Sequence, residues 1–140
     1  MIFLDTNVLI YAFEVEAPFY DWSRQLIATA VTGEGAMINP IVVAEICVGD
    51  ADPDNVADRI RSWGVAIVDL PVAAAPVCAA AYADYRLRRK RKSGKVAAVM
   101  PLPDFFIGAH ALILKARLAT ADQDRYRTCF PDLELVTPAQ

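Results

Sequence analysis

Short apolar runs alternate along the chain with longer segments in which apolar positions recur at helical spacing. The runs predict strands at residues 2–4, at the end of "GEGAMIN", and in "VAIVDL", "RLAT" and "LELVT". The segments between them predict helices at 6–13, at 17–31, from Pro40 to Gly49, in "DPDNVADRIRSW", from Pro71 to near Ser93-Gly94, from Asp104 to about Lys115, and after Asp122. This alternation predicts a single α/β domain over residues 1–140, with a central parallel sheet of about four to five short strands and helices on both faces.

Composition and chain length indicate whether the protein has a core and where in the cell it is expected. With 140 residues, 56% of them hydrophobic, the chain is long enough to bury a core. No apolar stretch reaches the ~18 residues of a membrane span. The first residues lack the basic region of a signal peptide, and Asp5 interrupts their apolar run. We therefore expect a cytoplasmic protein with no membrane contact.

Cysteine and histidine usage excludes two kinds of metal site. Cys47, Cys78 and Cys129 stand far apart with no C-x-x-C pair, so we expect free, partly buried thiols and no structural zinc. His110 is the only histidine, which rules out an H-E-x-x-H zinc site. We expect His110 to pack on its helix.

The charge is distributed unevenly. The window "RLRRKRKSGK" (86–95) holds seven of the 14 Lys and Arg and no acid. Because the net charge is -3, the rest of the chain carries -10 without these seven positive charges. A basic segment on an acidic body favours an anionic partner that touches one place, and the alternative is a solvated helix end.

Four acids lie where a parallel α/β sheet gathers its ligands, at the carboxyl ends of strands and the adjoining helix starts. Asp5 ends the first strand, Asp122 follows "RLAT", and Asp104 opens a helix directly after Pro103. Glu45 lies in mid-helix, and we expect its face to be buried because apolar or small residues surround it at helical spacing: Ile41, Val42, Val48 and Gly49.

Each acid also has an ordinary structural interpretation. Asp5 or Asp104 can cap a helix, Asp122 can be a turn residue, and Glu45 can extend to solvent. Asp124 is expected to cap the short helix, with a role in the second shell of a metal site left open.

Together, the four acids indicate a metal site. Four carboxylates at one sheet edge repel each other, and a divalent cation with hard oxygen ligands removes that cost. Mg²⁺ suits such a site, with Mn²⁺ as a possible substitute. Thr6, Asn7 and Thr120 lie beside the acids and are expected to orient them as a second shell.

Four motifs, "FLDTNVLIY", "VVAEI", "PDFFIGAHAL" and "LATADQDRY", followed by "LELVTP", span nearly the whole chain in order. In these motifs the chain resembles the PIN-domain ribonucleases and, within them, the VapC-type toxins. The resemblance implies a metal-dependent endonuclease acting on RNA, with Asp5, Glu45, Asp104 and Asp122 as the acidic site and Asp5, Asp104 and Asp122 as metal ligands. It also implies a homodimer and a VapB-like antitoxin whose C-terminal segment occupies a groove and blocks the site.

Two surfaces are predicted to meet partners. The basic window is expected to hold RNA phosphates without reading sequence, and Phe19, Trp22 and Leu26 on the second helix are candidates for a partner interface, with core packing as the alternative. The candidate RNA-binding residues are Arg86, Arg88, Arg89, Lys90, Arg91, Lys92 and Lys95.

Two other functions compete with a nuclease. A Mg²⁺-dependent phosphatase of the haloacid dehalogenase type also begins with a strand ending in Asp, but it needs a second Asp where this chain has Asn7. A non-catalytic PIN-like module that binds RNA or a partner is disfavoured because all four acids are present.

Overall fold

Five parallel strands form the central sheet of the computed structural model, which describes residues 1–91 and 101–139, without the side chains of residues 90 and 91. The strands lie in the order β3-β2-β1-β4-β5. Their bounds are β1 Ile2–Leu4, β2 Ala36–Ile38, β3 Ala66–Ile67, β4 Arg117–Ala119 and β5 Leu135–Val136.

Helices connect the strands. Right-handed connections between parallel strands put α1 to α4 on one face of the sheet and α5 to α7 on the other. The predicted α/β architecture is therefore confirmed. Within the described residues the helices are α1 Thr6–Phe13, α2 Tyr20–Thr32, α3 Pro40–Val48, α4 Val56–Ser62, α5 Ala74–Arg91, α6 Leu102–Ile113 and α7 Gln123–Cys129.

The central strand β1 explains where the functional side chains meet. It is fully buried because it pairs with β2 on one side and β4 on the other and has helices on both faces. Leu4 pairs with Ala119, and the Asp5 amide donates to the Ala119 carbonyl at 2.9 Å. This register puts Asp5 beside Thr120, although the two residues are 115 positions apart in the chain.

Several predicted boundaries were wrong for local reasons. The second helix begins at Tyr20 instead of residue 17, because Pro18 disfavours helical geometry in the residue before it. The long helix begins at Ala74 instead of Pro71, after a turn in which the Ala74 amide donates to the Pro71 carbonyl. Its predicted stop near Ser93-Gly94 lies outside the described residues.

Two further segments are shorter than predicted. "VAIVDL" contributes only Ala66–Ile67, because β3 is an edge strand and its one neighbour, β2, ends at Ile38. "DPDNVADRIRSW" divides into a 3₁₀ turn at Pro53–Asn55 and α4, and Asn55 makes no side-chain cap.

Gly108 lets α6 approach the end of α7. A Cβ at this position would lie 2.4 Å from the ring of Phe130, so any larger residue would push the ring or the helix away. The close packing matters because α6 carries Asp104 and α7 carries the residues that meet it. Among the described residues, no helix is long and apolar enough to cross a membrane.

Candidate active site

Asp5 lies at the carboxyl end of β1 and is almost completely buried. One carboxylate oxygen accepts from the Thr6 amide at 2.8 Å, so Asp5 does cap α1, as its structural interpretation predicts. The other oxygen accepts from the Thr120 hydroxyl at 2.8 Å and from the Asn7 side-chain amide at 3.2 Å. Neutral donors thus hold both oxygens of Asp5 in fixed positions.

Glu45 reaches the same edge of the sheet from α3. Its carboxylate accepts from the Thr6 hydroxyl at 2.7 Å, which links it to the residue after Asp5. The prediction of a uniformly buried face was wrong, since Glu45 is half-buried and Val48, three residues on, is 89% exposed. Helical spacing alone could not show that this end of α3 is exposed, because exposure depends on which elements pack against the helix.

Asp104 lies in the first turn of α6 and is buried. The prediction that Asp104 opens this helix was wrong, because α6 already begins at Leu102. The carboxylate of Asp104 forms no cap. Instead, one oxygen of Asp104 lies 2.5 Å from the guanidinium of Arg125 on α7. The capping alternative therefore does not apply to this acid.

Asp122 is the residue before α7, and its carboxylate lies 3.0 Å from Nε of Arg125. Its own amide donates to the Thr120 hydroxyl at 3.0 Å. The expectation that Asp124 caps this helix was wrong: Asp122 has the cap position, whereas Asp124 lies inside the first turn and is exposed. A second-shell role for Asp124 stays a prediction.

The charges of these acids act on one another. Burial, reinforced by the negative charge of Asp104, raises the pKa of Asp5 from 3.8 to about 6, although hydrogen bonds from Thr120 and Thr6 oppose the rise. Burial also raises the pKa of Asp104, with Glu45 and Asp122 acting in the same direction and Arg125 opposing them. The other three predicted acids therefore all lie within electrostatic range of Asp104.

The sequence reasoning missed two residues at this site, Arg125 and Tyr126. Arg125 bridges Asp104 and Asp122, and its spacing three residues after Asp122 is a helical ion-pair pattern that was visible in "DQDR". Tyr126 is fully buried close to the acids, and burial together with the charges of Asp5 and Asp104 raises its pKa well above 10.0. No sequence pattern distinguishes such a tyrosine from a core residue.

The donor set fits Mg²⁺ or Mn²⁺ in its chemistry. Asp5 and Asp104 present hard carboxylate oxygens whose pKa is raised chiefly by burial and further by neighbouring acids, which is a cost that a cation would relieve. In residues 1–91 and 101–139, no three His, Cys, Asp or Glu side chains are grouped closely enough to hold a metal ion. Mg²⁺ needs only one or two carboxylates, because water and substrate phosphate complete its shell.

The family model described as "PIN domain" matches residues 2–131. The chain belongs to the PIN domain family. This match confirms the family to which the sequence motifs point. Among curated protein sequences, no match was found.

Solved structures share the fold of this PIN domain over nearly its whole length. VapBC2 from Rickettsia felis, bound to a DNA fragment from its promoter, aligns with a TM-score of 0.61 and 22% identity, covering 98% of each chain. FitAcB from Neisseria gonorrhoeae aligns with a TM-score of 0.60 and 23% identity, covering 99% of this chain and 98% of that one. VapC20 from Mycobacterium tuberculosis, a sarcin-ricin loop cleaving toxin, aligns with a TM-score of 0.65 and 14% identity over 91% and 95% of the two chains.

The basic window of the PIN domain is described only in its first part. Arg86 lies over the ring of Tyr82, with 5.9 Å between the guanidinium carbon and the ring centre, and Arg89 lies over Tyr85 at 5.8 Å. Arg88 instead ties α5 to α7, since it donates to the Thr128 carbonyl at 3.1 Å. Lys92 and Lys95 lie outside the described residues, as do the side chains of Lys90 and Arg91.

The other residues named from the sequence have structural surroundings in the PIN domain. His110 is buried, with its ring against Phe3 of β1 and its Nδ1 3.2 Å from the Asn39 side-chain amide, so its contacts lie with other elements as well as its own helix. The three cysteines are free, and Cys78 is buried while Cys47 and Cys129 are half-buried, which confirms the prediction. The three candidate interface residues are half-buried, and two of them pack against the core, Trp22 and Leu26.

Proposed function

We propose that this PIN domain is a Mg²⁺-dependent endoribonuclease toxin of the VapC type, which cleaves phosphodiester bonds in RNA and is neutralised by a cognate antitoxin. One observation carries the proposal. Two carboxylates, Asp5 and Asp104, are buried at the carboxyl edge of the sheet, where burial and, to a smaller extent, the charge of Asp104 raise the pKa of Asp5. Burying Asp5 against neutral donors alone is costly, so its place beside Asp104 favours a metal site in addition to its capping of α1.

The residues around Asp5 prepare it to bind a cation. Each carboxylate oxygen has two acceptor positions. Thr6 uses one position of the first oxygen, whereas Asn7 and Thr120 together use both positions of the second. The remaining position of the first oxygen is then held at a fixed orientation, which lowers the ordering cost of binding a metal. Glu45 and Asp122 add negative charge within electrostatic range of Asp104.

When bound, Mg²⁺ would activate a water for attack on the phosphodiester and stabilise charge on the leaving oxygen, with Mn²⁺ as a possible substitute. The chain itself supplies the anionic ligands, their orientation, and the burial that strengthens their electrostatic effect. No protein nucleophile is needed for this chemistry.

Part of the basic window is suited to hold the RNA backbone. Arg86 and Arg89 keep their charges while lying over tyrosine rings, so they are available to phosphates from an ordered position. Contacts of this kind give affinity without sequence information. Replacing both by Ala should flatten the dependence of log affinity on log salt by roughly 0.7 for each lost phosphate contact. An unchanged slope would identify the window as a solvated helix end.

An antitoxin is the partner that the exposed apolar surface favours, alongside a second copy of the chain. A groove of 360 Å³ lies between the end of α1, α2 and the residue after α4, and Phe13 at its edge is 41% exposed. Apolar surface of this kind is typical of an interface. Its lining residues are Ala12, Phe13, Arg24, Ile27, Ala28 and Trp63. Homodimer formation and a cytoplasmic location are parts of the same proposal.

A cleavage assay on total RNA tests the central activity. Purified protein should fragment RNA in Mg²⁺, lose the activity in EDTA, and regain it when excess Mg²⁺ is restored. An Asp5→Asn preparation made in parallel controls for contaminating nucleases.

Two other outcomes would contradict the proposal. Hydrolysis of p-nitrophenyl phosphate with RNA left intact would favour the haloacid dehalogenase alternative. A shift of labelled RNA in a gel without cleavage, in both Mg²⁺ and Mn²⁺, would favour a non-catalytic binding module.

A further inference from the structure

Arg125 occupies the space between two of the acids that the proposed site would use. Its Nη1 lies 2.5 Å from an Oδ atom of Asp104, and its Nε lies 3.0 Å from an Oδ atom of Asp122. A guanidinium stays charged at every physiological pH and presents its donors in a fixed fork. In this conformation one positive charge therefore bridges the two carboxylates.

This bridge differs from the way in which Asp5 is held. The donors to Asp5 are neutral and leave its negative charge uncompensated, whereas Arg125 neutralises part of the charge of Asp104 and Asp122. The oxygen of Asp104 that Arg125 contacts has one acceptor position fewer for a metal. The guanidinium also repels any cation that approaches from the side of Asp122.

The side chain of Arg125 is exposed enough to move away from Asp104. Its side chain is 36% exposed, while that of Asp104 is 7% exposed, so the arginine reaches in from the solvent side over a buried acid. It belongs to α7, a helix of seven residues at the surface end of the site. Because the side chain makes both contacts, a rotation of that side chain would free the Asp104 oxygen.

We infer that Arg125 is a built-in competitor of the metal, which holds Asp104 and Asp122 together in the metal-free protein and must be displaced when a divalent cation binds. This inference rests on the proposed metal-dependent function. Its consequence is that the site fills only at a higher metal concentration than the acids alone would require. Arg125 affects metal binding only through the two carboxylates that it contacts, so it is a positioning residue.

Metal binding by the purified full chain tests the inference. Isothermal titration with Mn²⁺ and with Mg²⁺ is compared for wild type, Arg125→Gln and Arg127→Gln. Arg127 is the matched control, since it lies on the same helix, is exposed, and loses the same charge when replaced. Arg125→Gln should bind Mn²⁺ about tenfold more tightly, the size of effect that one nearby charge has on an ionic equilibrium, and Arg127→Gln should match wild type.

Thermal unfolding supplies a readout that does not depend on activity. Without metal, Arg125→Gln should melt at a lower temperature than wild type, because Asp104 and Asp122 lose their shared cation. Saturating Mn²⁺ should raise its melting temperature by more than it raises that of wild type. Should Arg125→Gln fail to fold, Arg125→Lys keeps the charge but loses the fork, and it should bind Mn²⁺ with an affinity between those expected for wild type and Arg125→Gln.

The outcomes separate the inference from the proposed function. Binding of Mn²⁺ to wild type with equal or weaker binding to both Arg125 variants would overturn the role of Arg125 alone. Absence of Mn²⁺ and Mg²⁺ binding in wild type and in every variant would overturn the proposed function, and the inference with it. Binding in Arg125→Gln but not in wild type would support the inference in its strongest form.

Discussion

Carboxylates lie at both ends of the sheet, but they are buried at one end and exposed at the other. At the carboxyl ends of the strands, Asp5 and Asp104 are buried, and burial raises the pKa of both. At the amino ends, Glu34 is exposed and pairs with Arg117 and, at 3.6 Å, with the amino group of Met1.

The difference in exposure separates the carboxylates of the candidate site from those of a surface ion pair. Water screens the pairs of Glu34, and exposed pairs of this kind contribute between nothing and about 1 kcal/mol to stability. The buried acids lack that screening, so their charged forms are costly, and a bound cation would relieve that cost. Burial, and not charge, therefore distinguishes the candidate site from an ordinary surface pair.

The largest expected effect is on catalysis. Asp104→Asn should lower RNA cleavage at moderate Mg²⁺ by about 100-fold or more, because it removes one of the proposed anionic metal ligands. Circular dichroism should show an unchanged fold. Glu34→Gln, which removes the same charge from the exposed end of the sheet, should cleave RNA like wild type. Equal RNA cleavage by Asp104→Asn and Glu34→Gln would show that the buried and the exposed acids do not differ in their effect on activity.

A second prediction concerns the dependence of stability on pH in EDTA. The folded protein holds the proton of Asp5 more tightly than the unfolded chain does, so between about pH 3.8 and 6 the folded state binds more protons. The free energy of unfolding should therefore fall as pH rises through this window. The shift from 3.8 to about 6 corresponds to about 3 kcal/mol, lost by about pH 7.

Denaturant titrations of wild type and Asp5→Asn from pH 4 to 8 measure this effect. The variant lacks the titrating group, so its stability should fall less over the same range, and Glu34→Gln should follow wild type. If the free energy of unfolding rose with pH, and rose equally in wild type and Asp5→Asn, the result would show that burial does not raise the pKa of Asp5.

The third prediction concerns the neutral donors of the buried end. Thr120→Ala removes the hydroxyl that donates to Asp5 and accepts from the Asp122 amide. Loss of such an orienting partner typically costs about 10- to 100-fold in metal affinity or activity. Thr120→Ser keeps the hydroxyl and should recover most of the activity. Equal loss in the two variants would assign the effect to the methyl group and to packing.

The smallest expected effect is at the exposed end. Glu34→Gln should change the free energy of unfolding by less than about 1 kcal/mol at low salt, and the change should shrink at high salt. Urea titrations at two salt concentrations measure it. A salt-independent loss of several kcal/mol would mean that this end, too, holds a strongly coupled charge.

The sequence by itself determined the framework. The alternation of apolar runs with helical segments was enough to predict the parallel sheet, because each buried strand needs helices on both faces. Asp5 stood out because a carboxylate at the end of a core strand is costly, and the ordered motifs pointed to the PIN domain family, which the family model confirms. These features are local, or depend only on the order of motifs in the chain.

The tertiary structure alone decided how the acids are held. Thr120 meets Asp5 only because β1 pairs with β4 in one register, and Arg125 meets Asp104 only because Gly108 lets α6 pack close to the segment that follows α7. Helical spacing gave no means of seeing that α3 leaves Val48 exposed, nor that Asp122 and not Asp124 takes the cap position. The physical reason is that burial and charge neutralisation depend on partners far away in the chain.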